Sequence, residues 1–151
     1  MPETKKRVLD AEVLMPEYRK LLKDGAVLPL TVSGGSMLPF LAPGRDTVYL
    51  KSPDRELKRG DIVFYQRPSG QYILHRLYRI ENGQCWFAGD AQDEVEGPLS
   101  EQCIFACVAY AVRKGKREEQ GTLLWNFFAG GWLRMLGKRK RIMGAYAKIA
   151  K

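Results

Sequence analysis

Residues 61–89 read DIVFYQ, RPSG, QYILHRLYRI, ENG, QCWFAG. Three β-rich runs alternate with two turn signals, and no helical spacer lies between them. Arg67-Pro68-Ser69-Gly70 joins the first two runs as a hairpin loop. Alternation along the middle run predicts Ile73, His75 and Leu77 on one face and Leu74 and Arg76 on the other.

The same pattern extends in both directions. VLPLTV and DTVYLK precede it and CIFACVAYAV follows, divided by GGS, APGRD, SPD, KRGD and EGP. Brief turns without crossover helices argue for an antiparallel, mainly β, meander or barrel-like core over about 26–115. Residues 1–25 predict a short helical segment. Tyr18, Leu21 and Leu22 share a helical face, Pro16 suits a first turn, and Gly25 is placed to stop the helix. Residues 113–120, RKGKREEQ, read as a polar linker. Residues 116–151, overlapping its end, are expected as a basic amphipathic helical tail with Trp125, Phe127, Phe128, Trp132, Leu133, Met135 and Leu136, in which Gly130-Gly131 would break or bend the helix.

The chain has 151 residues, 45% of them hydrophobic and 28% charged, which suits one folded domain and excludes two full ones. No apolar run approaches the ~18 residues of a spanning helix, and no signal peptide is expected. The expected location is cytoplasmic or peripheral at a membrane. Cys85, Cys103 and Cys107 are odd in number and lack a CxxC, against a disulfide framework or zinc knuckle. With one histidine, a zinc site of several histidines is excluded. No cofactor and no metal are expected.

The net charge of +8 is uneven. Residues 1–111 hold 14 Lys/Arg against 15 Asp/Glu, whereas 112–151 hold 11 against 2. The basic excess therefore belongs to the tail. Aromatics beside Lys138-Arg139-Lys140-Arg141 suit an anionic membrane surface contacted through 122–141. The same pattern suits packing on the β domain or on a second copy, and a nucleic-acid partner is the least favoured reading.

Three elements can do chemistry. Ser36 follows Gly34 and Gly35 at the end of a β run. Two glycines let the backbone turn sharply and present N–H groups, as a nucleophile beside an oxyanion site requires. By itself, Gly-Gly-Ser before Pro39 also reads as an ordinary turn. A serine needs a base, and His75 is the one histidine. No lysine occurs between Asp61 and Ser100 to replace it. Taken alone, His75 also reads as a hydrogen-bonded core residue. The acidic turn Asp90-Ala91-Gln92-Asp93-Glu94-Val95-Glu96 supplies four carboxylates that could orient the imidazole or simply be solvated.

In order, these residues resemble the signal peptidase I family and its relatives, the self-cleaving repressor proteases. The serine box is Gly34-Gly35-Ser36-Met37-Leu38-Pro39, and the next is Gly60-Asp61-Ile62-Val63. The general-base box is His75-Arg76, as in the endoplasmic-reticulum, archaeal and sporulation members, and the last begins Gly89-Asp90. The resemblance covers 31–114. It implies a serine endopeptidase with a signal-peptidase-like β core, Ser36 as nucleophile, His75 as general base and Asp90 as the acid, with Asp93 or Glu96 as alternatives. It also implies Arg76 as a structural partner of the acidic loop. Gly34 occupies the position at which some members carry an oxyanion hydroxyl, so oxyanion stabilisation would come from backbone N–H groups. The expected substrate is a leader or signal peptide. The alternatives are a self-cleaving regulator and a non-catalytic peptide-binding module on the same fold.

Overall fold

A computed structural model describes residues 14–138. It is mainly β, with eight antiparallel strands: β1 (Leu28–Thr31), β2 (Thr47–Lys51), β3 (Ile62–Gln66), β4 (Tyr72–Glu81), β5 (Gln84–Ala88), β6 (Glu96–Ser100), β7 (Ile104–Arg113) and β8 (Lys116–Glu118). Their spatial order is β1-β2-β7-β3-β4-β5-β6, with β8 paired to β7. Strand β7, late in sequence, therefore lies in the interior of the sheet. It pairs with β2 and β3, so it joins the two halves of the sheet.

The hairpin expected at 67–70 forms. Gln66 pairs with Tyr72, and the loop closes through Arg67 N–H to Gln71 O at 2.8 Å. The second turn, at Asn82-Gly83, places both residues at positive φ, 51° and 76°, which suits the twist of a two-residue hairpin. Two segments differ from expectation. The EGP stretch, expected as a turn, is the start of β6, an end strand that tolerates Pro98 because one edge lacks a strand neighbour. The expected linker over 113–120 instead folds back as the β7–β8 hairpin, with Lys114 and Gly115 at φ 53° and 78°.

Alternation sorts the core into two clusters on opposite faces of the sheet. On β3, Ile62 and Phe64 join Phe40, Leu41, Val48, Leu50, Ala106 and Val108. Val63 and Tyr65 join Leu57, Leu77, Cys85, Phe87 and Cys107. Two helical elements cover the first cluster. Helix α1, residues 14–23 of the described chain, buries Met15 and Leu22, while Leu21, expected on the same face, is 45% exposed. Gly25, at φ 94°, ends α1 with the paired bonds Gly25 N–H to Leu22 O and Ala26 N–H to Leu21 O. Helix α2 (Leu123–Phe127) runs into a π-helical turn, Phe128–Trp132, which includes the Gly130-Gly131 pair. Trp125, Phe128, Trp132 and Leu133 are buried. The aromatic side of the tail is thus turned onto the β domain.

Among the described residues, no helix is long and apolar enough to cross a membrane. The basic run from Arg139 onward lies outside them.

Candidate active site

Arg76 is the centre of the polar architecture. It is fully buried on the Phe40 side of the sheet. A buried guanidinium is tolerable only when its donors are paired, and these are. Its Nε and Nη2 donate to Asp90 Oδ1 and Oδ2 at 2.9 and 2.8 Å, and its Nη1 donates to Gly60 O at 2.9 Å. The guanidinium also lies over the Phe40 ring, 5.5 Å from its centroid.

Asp90 is likewise fully buried. Both its oxygens face Arg76, so the expected Asp90–His75 contact is not made. The physical reason is alternation: neighbouring residues on a strand point to opposite faces, so a carboxylate that reaches Arg76 lies on the wrong side for His75. Arg76 does have the role expected of it, as the partner of the acidic loop.

His75 points to the other face, opposite Val63, and is 3% exposed. Its Nδ1 lies 3.2 Å from the Tyr65 hydroxyl, which donates to Glu96 Oε1 at 2.6 Å. Arg67 holds the same carboxylate through Nε to Oε2 at 2.7 Å and Nη2 to Oε1 at 3.1 Å. Glu96, one of the alternative acids, is thus the anion behind the ring, one phenol removed. Asp93, which lines the same cleft, makes no hydrogen bond to His75, and its Oδ1 is buried without a hydrogen-bond partner.

Burial pushes the His75 pKa down to about 4, with Glu96 opposing the shift and Arg67 adding to it. The ring is therefore neutral near pH 7. Burial opposes ionisation of Glu96, but hydrogen bonds from Arg67 and Tyr65 outweigh it and hold the carboxyl below its ordinary range. Burial and the Glu96 contact push the Tyr65 phenol well up, so it keeps its proton.

The Ser36 turn meets this site through its backbone. Ala91 N–H donates to Ser36 O at 2.9 Å. A Cβ built on Gly89 would lie 2.4 Å from that same oxygen, so only glycine lets the two segments approach. Gly89 directly follows β5, whose last residue, Ala88, pairs with Arg76. Gly34 has φ 74° in the turn before Ser36. Among the described residues, the Ser36 hydroxyl and the Ser36 and Met37 N–H groups make no hydrogen bond, and none joins Ser36 to His75.

An open cleft of about 510 Å³ lies over His75, lined also by Arg67, Gln92, Asp93, Glu94, Val95 and Glu96. Gln92 braces the turn, its Oε1 accepting from Gly89 N–H at 3.1 Å. No three of the described His, Cys, Asp and Glu residues are grouped to hold a metal.

No family model and no curated protein matches the chain.

Tyr65 and Arg67 are the residues that sequence reasoning missed. A signal for Tyr65 was present: the hairpin loop at 67–70 sets Val63 opposite His75, which puts Tyr65 on the imidazole's face one pair nearer the loop. Arg67 sits in the loop itself, where nothing local marks it for a distant carboxylate.

Proposed function

We propose that this chain is a serine endopeptidase of the signal-peptidase type, acting on leader or signal peptides. One observation carries the reading: all four sequence boxes meet in space. Arg76 of the His-Arg box bonds Gly60 of the second box and Asp90 of the fourth, and the carbonyl of Ser36 rests on Gly89 and Ala91. The convergence of four short motifs scattered over the chain supports reading them as one site.

In this reading the Ser36 oxygen attacks the scissile carbonyl carbon, and His75 Nε2 takes the hydroxyl proton. The oxyanion is met by the unpaired N–H groups of Ser36 and Met37. Collapse breaks the C–N bond as His75 returns the proton to the leaving amine. Water, deprotonated by the same nitrogen, then hydrolyses the acyl-enzyme and frees Ser36. The Ser36 and His75 side chains must draw together for this, and catalytic contacts commonly tighten only when substrate is seated. An extended peptide would add to the edge of β1, whose strand runs towards Ser36.

The test is cleavage of a signal-peptide-bearing substrate followed by mass spectrometry. Ser36→Ala and His75→Ala should each lower the rate by about 10³-fold or more. A Ser36→Ala protein that cuts at the original rate would sink the proposal. Cleavage of the chain itself, lost in Ser36→Ala, would instead mark a self-processing regulator.

The missing Ser36–His75 hydrogen bond favours a second reading, a peptide-binding module without turnover. It predicts peptide binding that survives His75→Ala and no turnover by the parent protein.

A further inference from the structure

We propose that Tyr65 is a positioning residue that, with Glu96 behind it, sets the tautomer of His75 and so takes the place of a directly bonded triad acid. The inference rests on the reading of His75 as the general base.

Proton accounting carries it. A phenol has one proton, and Tyr65 gives it to Glu96 Oε1 at 2.6 Å. Glu96 is an acceptor only, fixed by two bonds from Arg67. The Tyr65 oxygen, 3.2 Å from His75 Nδ1, is left to accept. The bond then forms only if Nδ1 carries the imidazole hydrogen. Nε2 keeps its lone pair, as a base that must take a proton from a serine requires. A histidine whose Nδ1 accepted the phenol's hydrogen would carry its own hydrogen on Nε2 and could not act as base there. The direction of the chain from Glu96 through Tyr65 to His75 therefore decides competence.

The arrangement also suits its location. Val63, Leu77, Phe87 and Cys107 occupy the same cluster as Tyr65. A carboxylate placed directly against His75 would have to be desolvated there. Tyr65 reaches across the cluster with an apolar ring, stacked on Phe87 at 3.8 Å between centroids. The anion stays at the cleft, where Arg67 also reaches it.

The test uses the full chain with nitrogen-labelled histidine. Because His75 is the only histidine, the imidazole spectrum contains a single ring, and protonated and lone-pair nitrogens resonate far apart. In the parent protein near neutral pH, Nδ1 should carry the hydrogen. Tyr65→Phe keeps the ring stack and removes only the hydroxyl; it should yield a tautomer mixture or the reversed tautomer. On a cleaved peptide it should lower kcat by about 10²-fold with KM little changed. Glu96→Gln removes the anion and should also shift the tautomer balance, giving a second variant should Tyr65→Phe fold poorly. A parent His75 with its hydrogen on Nε2, or an Nδ1–H form unmoved by both substitutions, overturns the relay. The spectrum needs no substrate. A tautomer shift in a protein whose cleavage ignores Ser36→Ala would sustain the relay and sink the peptidase reading. Ser36-dependent cleavage with an unmoved tautomer would do the reverse.

Discussion

At the scale of single residues, His75 makes a pH prediction with a definite sign. Its folded pKa, about 4, lies below the ordinary 6.5. The unfolded chain therefore binds a proton first as pH falls, and stability is lost between about pH 6.5 and 4. A shift of this size corresponds to about 3 kcal/mol. Urea unfolding at pH 7 and pH 4 should reveal the loss, and His75→Asn should remove most of it. The acid limb of kcat/KM should fall near pH 4; a limb near 6.5 would contradict the burial seen here.

Gly89 gives a steric prediction. Its φ lies outside the left-handed region, so alanine is barred by contact alone: its Cβ would stand 2.4 Å from Ser36 O and 3.1 Å from Ser36 C. Both are backbone atoms that cannot swing aside. Gly89→Ala should cost about 1–3 kcal/mol and displace the Ser36 turn. Calorimetry and the cleavage rate check it together. Arg76→Ala should cost more, about 3–5 kcal/mol, because it leaves Asp90 charged and buried without a partner.

At the scale of elements, the helix after β8 buttresses the site. Trp132 Nε1 donates to Asp90 O at 2.7 Å. Trp125 and Phe128 pack on Phe40, four residues beyond Ser36, with centroids 5.8 and 5.0 Å away. Ala129 sits against Gly60, where a Cβ would meet its carbonyl at 2.9 Å. One helix thus touches the serine turn, the second box and the acidic turn. Trp132→Phe should lose about 1 kcal/mol of stability, measured by thermal unfolding, by removing one buried hydrogen bond. The same packing bears on a membrane role for residues 122–141. Buried Trp125, Phe128 and Trp132 are not available to lipid, whereas Leu123 and Phe127 are 91% and 46% exposed. Flotation on anionic vesicles through this segment should weaken with salt and with Phe127→Glu. Flotation indifferent to both would rule the segment out as the attachment.

At the scale of the whole molecule, strands and hairpins were legible because alternation and turn chemistry are local. Ile73, His75 and Leu77 on one face and Arg76 on the other follow from a period of two. β6 was not legible: Gly97-Pro98 reads as a turn by composition, and only its place at the end of the sheet permits a strand. The β7–β8 hairpin was missed because a run of charges resembles a linker unless Lys114-Gly115 is recognised as its turn.

The sequence by itself determined the mainly β architecture, the facing of the imidazole and the four motifs with their candidate serine and histidine, since each depends on neighbours a few residues apart. Only the tertiary structure decided which carboxylate serves which cation. Asp90 went to Arg76 and Glu96, through Tyr65, to His75. Four acids in one short turn are equivalent along the chain. They are told apart by which face of the sheet each one reaches and by which buried charge must be neutralised there.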